Sequence, residues 1–127
     1  MTLPRKGPGF TLIELLVVLA VIATLLAIAV PRYFSSLENS REAVLKQDLA
    51  VMRETLDKYY GDKGRYPEAL EELVAARYLR NVPVDPITES SETWVVVPPD
   101  LPEMGGVYDV RSGAEGVARD GSEYRNW

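Results

Sequence analysis

The chain of 127 residues has no cysteine and no histidine. Without cysteine no disulfide braces the fold, and no thiolate is available as nucleophile or metal ligand. Without histidine there is no Ser-His or Cys-His pair, and zinc sites built from those ligands are excluded. Hydrolysis by paired carboxylates needs only Asp and Glu, but no spacing in the chain supports it, so catalysis is not expected. Basic side chains are the minority, 14 against 19 acidic ones, for a formal net charge of −5. An acidic surface repels phosphates, so nucleic acid is not an expected partner. After Gly9, proline and glycine are also nearly withheld from the first half. From Phe10 to Tyr60 the only one of either is Pro31.

What fills that first half is an apolar run. Gly9 to Val30 read GFTLIELLVVLAVIATLLAIAV, with one acid, Glu14, near the start. A bilayer core takes roughly 20 apolar residues as a helix. An acid near the centre of such a span costs roughly 2.5–3.5 kcal/mol on insertion scales. The cost falls toward the helix end but still has to be offset. If the chain were cut after Gly9, Phe10 would carry a free ammonium one helical turn from Glu14, or beside the Glu14 of a neighbouring copy.

Three readings of the run are open on the residues alone. An ordinary transmembrane anchor explains its length and not Glu14. A secretory signal peptide has its basic start in Arg5 and Lys6 and an A-x-A-like site in Ala27-Ile28-Ala29, with a secreted binding domain following the cut after Ala29. Its apolar part would exceed the usual ~7–15 residues, however, and would contain an acid. The third reading is a short leader removed before the run. In the first and third readings Arg5 and Lys6 mark the cytoplasmic flank, and Arg32 beyond the run weakens that bias only slightly.

Lys6-Gly7-Pro8-Gly9 followed by Phe10-Thr11-Leu12-Ile13-Glu14-Leu15-Leu16-Val17-Val18 resembles the N-terminal signal of type IV pilins and type II secretion pseudopilins. The resemblance implies cleavage between Gly9 and Phe10 by prepilin peptidase and N-methylation of Phe10. It implies assembly roles for Phe10, for Glu14 as the fifth residue after the cut, and for Pro31 as a helix-loosening proline. The expected organisation is a leader, 1–9, a transmembrane and assembly helix, 10–31, and a periplasmic pilin-like domain, 32–127. The expected location is the bacterial inner membrane, single pass, with the N-terminus cytoplasmic. After assembly it is a periplasmic pseudopilus. Implied partners are copies of the chain itself, the peptidase, an inner-membrane assembly platform, minor pseudopilins, and lipid before assembly.

Beyond the span, Leu45, Leu49, Met52, Leu56 and Tyr59 or Tyr60 recur at helical spacing. Leu37, Val44 and Val51 add a line seven residues apart, read as nearly the same face. A helix from about Thr11 to Tyr60 is therefore expected, stopped by Gly61-Asp62-Lys63-Gly64. Pro67 suits the first position of a second, short helix, with Leu70, Leu73, Val74 and Tyr78 as its buried side. Asn81-Val82-Pro83-Val84-Asp85-Pro86 reads as an extended linker. Thr93–Val97, Gly106–Arg111 and Val117–Asp120 read as strands. The fold class is α+β: a long N-terminal helix, membrane-spanning in its first half, packed against a small antiparallel sheet of about three strands, the type IV pilin-like fold.

Gly64-x-Tyr66-Pro67, the leucines after it and Pro83-x-Asp85-Pro86 are similar to the major pseudopilins of type II secretion. Those proteins usually follow Asp-Pro with tryptophan and glycine. Here Ile87-Thr88 stand instead, and Trp94 is the candidate for the core place. The same resemblance implies calcium in a C-terminal loop, with Asp109, Glu115 and Asp120 as candidate oxygen ligands. A type IV pilin or a minor pilin-like subunit is the neighbouring alternative.

Overall fold

The structure is a computed structural model that describes residues 9–127. Arg5, Lys6 and the rest of the expected leader before Gly9 lie outside the described residues. The first α-helix, α1, runs Leu12–Lys63, 52 residues, with Pro31 inside it. It is followed by α2 (Leu70–Ala75), β1 (Val95–Val97) and β2 (Asp109–Arg111), with short 3-10 turns at Pro102–Met104 and Tyr124–Asn126. The chain divides between Leu37 and Glu38 into two compact units.

In the first unit α1 is apolar on every side and none of it is buried by protein. Exposure of Leu, Ile and Val side chains runs from Leu12 through Val30 without an inward face. A helix apolar all round needs lipid or other helices around it. The segment is long and apolar enough to cross a membrane. Thr24, in mid-span, donates its hydroxyl to the Ala20 carbonyl at 2.8 Å, the partner within reach where no water is available.

The second unit is built on the amphipathic half of α1. Leu45, Leu49, Met52, Leu56 and Tyr59 are at most 2% exposed and face Leu70 and Leu73 of α2, together with Trp94, Val107 and Val110. The expected stripe is thus the core. Tyr59, not Tyr60, is its last member. The Leu37, Val44 and Val51 line is not part of it: Val44 and Val51 remain exposed. Each precedes a stripe residue by one position, and one residue turns the helix by roughly 100°. The Gly64 amide closes on the Tyr60 carbonyl at 2.8 Å with φ +72°. That left-handed step suits glycine and ends the helix.

Two expectations change in the remainder. The second helix starts at Leu70, and Pro67 precedes it, buried and outside any regular element. The Pro67 carbonyl is taken by the amides of Gly106 and Val107, at 3.0 and 2.9 Å. This cross-link uses the first residues of the expected second strand, which shortens to β2. The sheet has two strands, not three. Its antiparallel register pairs Val95 with Arg111, Val96 with Val110, and Val97 with Asp109. The third expected strand is reduced to a single bridge, Val117 to Glu123. The Gly121 amide turns back onto Ala118 at 3.0 Å, so the chain reverses before a ladder can extend. Trp94 does take a core place, and its indole N–H donates to the Pro83 carbonyl at 2.7 Å.

Candidate functional site

The expected processing and assembly residues lie at the start of α1 in the first unit. Gly9 and Phe10 precede the helix, and Phe10 is 80% exposed. A Cβ added at Gly9 meets nothing within 4 Å. The fold itself therefore makes no steric demand for glycine at that position.

Glu14 is not a bare charge. Its amide donates to Thr11 Oγ1 at 3.2 Å, and its carboxylate Oε2 accepts the Thr11 amide at 3.4 Å. Thr11 is the helix N-cap and Glu14 the third helical residue, so the two satisfy each other's backbone amides reciprocally as a capping box. The helix N-terminus also carries partial positive charge, which favours an acid in the first turn. The sequence reading missed Thr11. The signal was present as Thr11-Leu12-Ile13-Glu14, a T-x-x-E pattern opening an apolar run.

Pro31 sits within α1. It has no N–H to donate to the Ala27 carbonyl four residues back, which weakens the helix at that turn. Just beyond, the rings of Tyr33 and Phe34 meet edge-on, 5.8 Å apart, and both are exposed. With Arg32 they form the aromatic and basic fringe expected where an apolar span meets water. This too was readable and was passed over.

In the second unit the calcium candidates are not brought together as one ligand set. Asp109 Oδ1 accepts Arg53 Nε at 2.9 Å and the Val110 amide at 2.8 Å. Asp120 Oδ1 accepts the Ser122 hydroxyl at 2.6 Å and its amide at 2.9 Å. Those bonds hold the Asp120 carboxyl below the usual carboxylate range. Glu115 is exposed. Among the described residues no group of three or more acids is arranged to hold a metal ion. These residues do not fit the calcium site that the resemblance implied.

A capped acid opening an apolar stretch long enough to cross a membrane in one unit, and a small α+β unit built on the amphipathic part of the same helix in the other, are the features of the pilin-like class. The comparisons agree. Residues 5–30 match the prokaryotic N-terminal methylation motif. The chain is 29% identical to type II secretion system core protein G of Pseudomonas aeruginosa, over 97% of this chain and 96% of that protein. It is 29% identical to the Escherichia coli protein of the same name, over 96% and 92%, and 30% identical to fimbrial protein EcpC of Eikenella corrodens, over 94% and 81%. No solved structure matches. The chain belongs to the type IV pilin-like family.

Proposed function

We propose that this chain is a structural subunit of a type II secretion pseudopilus, made as a precursor, cut between Gly9 and Phe10, methylated on Phe10, and polymerised from the inner membrane. The observation that carries the reading is the Gly9–Phe10 junction with Glu14 at the head of an exposed apolar helix. Full-length similarity to proteins named core protein G supports the secretion system as its setting. Arg5 and Lys6 on the near flank support a cytoplasmic N-terminus, with the cap in the periplasm. The role is structural rather than catalytic. The polymer is made of copies of this chain, and prepilin peptidase, an assembly platform and minor pseudopilins act on or with it. Lipid covers the apolar helix until neighbouring helices replace it.

The chemistry follows from Glu14. Cleavage leaves the Thr11 amide in place, so the capping box persists in the mature subunit. It adds one ammonium, on Phe10. During docking the Glu14 of one copy pairs with the ammonium of another. A buried pair of this kind chiefly compensates its own desolvation, and its use is to fix register. Pro31 weakens the helix where the subunit must adjust on leaving the membrane.

The test has two parts. Intact mass and N-terminal analysis of the mature protein should give methyl-Phe10, whereas a terminus at Val30 would mean a conventional signal peptide. Glu14→Ala should insert and be cut normally yet polymerise poorly, and normal fibres from that variant would refute the register role. The similarity to fimbrial protein EcpC supports a second reading, a type IV pilin. Deleting the gene separates the two: loss of secretion with surface pili intact favours the pseudopilus.

A further inference from the structure

The stretch from Ser112 to Trp127 joins no ladder of the sheet. Its own backbone bonds are local turns around one bridge, Val117 to Glu123, and one short 3-10 turn. Side chains of α1 tie that local structure to the helix. Arg53 Nε donates to Asp109 Oδ1 at 2.9 Å, and its Nη2 donates to the Val110 carbonyl at 3.0 Å and to the Trp127 main-chain oxygen at 2.6 Å. One planar cation thus gathers a carboxylate from β2 and main-chain oxygens from two segments far apart in sequence. The fork of fixed donors suits it to that task. Two neighbours on α1 help. Glu42 Oε1 accepts the Arg119 amide at 2.9 Å and the Tyr124 hydroxyl at 3.0 Å. The Lys46 ammonium lies 4.8 Å over the Trp127 ring.

A carboxylate oxygen with main-chain oxygens around it is the donor set a hard divalent cation takes. Here the guanidinium holds that set. Calcium entering at Asp109 would meet the Arg53 guanidinium and the Val110 amide already on Oδ1, and at Asp120 it would compete with Ser122.

We propose that the Arg53 guanidinium is the cation that closes residues 112–127 onto α1, so that this stretch keeps its fold without a bound calcium ion. The inference does not depend on which filament the chain builds.

The experiment is limited trypsin digestion of the full chain in detergent micelles, following cleavage after Arg119 and Arg125, both on the exposed surface. Digestion is run with a chelator and with calcium at about 5 mM, above the weak end of extracellular calcium sites. The wild-type rate should be the same in both within about twofold, and Arg53→Gln should cut about tenfold faster in both, as expected when local opening controls cleavage. Arg53→Lys, which keeps the charge and loses the fork, should fall between. A chelator that speeds wild-type cleavage about tenfold would overturn the proposal. So would an Arg53→Gln variant as resistant as the wild type. If Arg53→Gln fails to fold, Asp109→Asn removes the same charged contact, and the wild-type comparison with and without calcium still decides.

Discussion

Asp85 offers the sharpest test of how the second unit is held. It is fully buried, and no salt bridge to it occurs among the described residues. Three neutral donors satisfy it. Oδ1 accepts the amides of Ile87 at 2.8 Å and Thr88 at 3.3 Å, and Oδ2 accepts the Ser112 hydroxyl at 2.5 Å. Ser112 Oγ in turn accepts the Ala114 amide at 3.1 Å. The network joins the turn after the Pro83 linker to the turn after β2. Asp85→Asn keeps the shape and reverses one donor. The new NH2 group would face Ser112 Oγ, which already receives Ala114, leaving the hydroxyl hydrogen with no acceptor. An orphaned buried donor costs about 1–3 kcal/mol, and each of the two amide bonds loses about 1 kcal/mol with the charge.

One term opposes this. Asp48 has its pKa raised, first by burial and then by the Asp85 charge, and removing that charge relieves Asp48. The group is partly exposed, so the relief is screened to a few tenths of a kcal/mol. The net expectation is a loss of about 3–5 kcal/mol, which a domain in the middle or upper part of the ordinary stability range, about 5–15 kcal/mol, survives. In urea unfolding followed by tryptophan fluorescence, with a slope of about 2 kcal/mol per M, the midpoint should fall by about 1.5–2.5 M at neutral pH. Trp94 reports the change directly, because its indole is bonded to Pro83. In the same variant the Asp48 pKa, read by carboxyl NMR, should move down toward its ordinary value of 3.8 and stop short of it, since burial is its larger cause. An unchanged urea midpoint would refute the network, and an immobile Asp48 would refute the coupling.

Two further outcomes can be checked on the same preparation. The Glu72 carboxyl is held low, first by the Glu68 amide at 2.6 Å, then by the Tyr59 hydroxyl at 2.7 Å, with Arg65 at 3.2 Å adding to it. A depressed acid contributes stability above its unfolded pKa and loses it as pH falls through the folded value. Urea midpoints should therefore decline as the pH falls below the ordinary glutamate value of 4.5, and Glu72→Gln should lower the neutral midpoint and flatten that decline. A Cβ at Gly113 would sit 2.0 Å from the Thr93 carbonyl oxygen, so Gly113→Ala should destabilise by about 3 kcal/mol or more. A thermal melt like that of the wild type would show that the backbone approach is not as close as described.

Much of this fold was legible because helical periodicity and glycine punctuation are local signals. The stripe from Leu45 to Tyr59, the stop at Gly64 and the unbroken apolar span needed no tertiary knowledge. The sheet was harder. Gly106-Val107 alternates like a strand, yet its amides serve the Pro67 carbonyl, a partner about forty residues away in sequence that no period can announce. Val117–Asp120 has strand-like residues too, but the Gly121 turn ends it first. Pairing of the acids was least legible. Asp109 reads as a strand residue and a candidate calcium ligand until Arg53, from another element, is seen beside it. The capping box at Thr11 and Glu14 was fully written in four consecutive residues. What hides it is that an acid in an apolar run reads first as a misfit with lipid.

That capping box changes what the proposed cleavage would have to accomplish. If Glu14 had no local partner, insertion of the precursor would carry the whole cost of an acid entering an apolar span, and only a cut after Gly9 would supply relief. With the Thr11 and Glu14 groups satisfying each other, and with the acid in the first turn where the helix end favours it, the precursor is already compensated before any processing. In the proposed assembly, the ammonium released on Phe10 is then surplus to its own chain. It is free to seek a carboxylate elsewhere, and the carboxylate that matches it in depth within the membrane is the Glu14 of another copy. Proteolysis would thus act on association more than on insertion, which is why Glu14→Ala is expected to spare the first two steps and fail at the third.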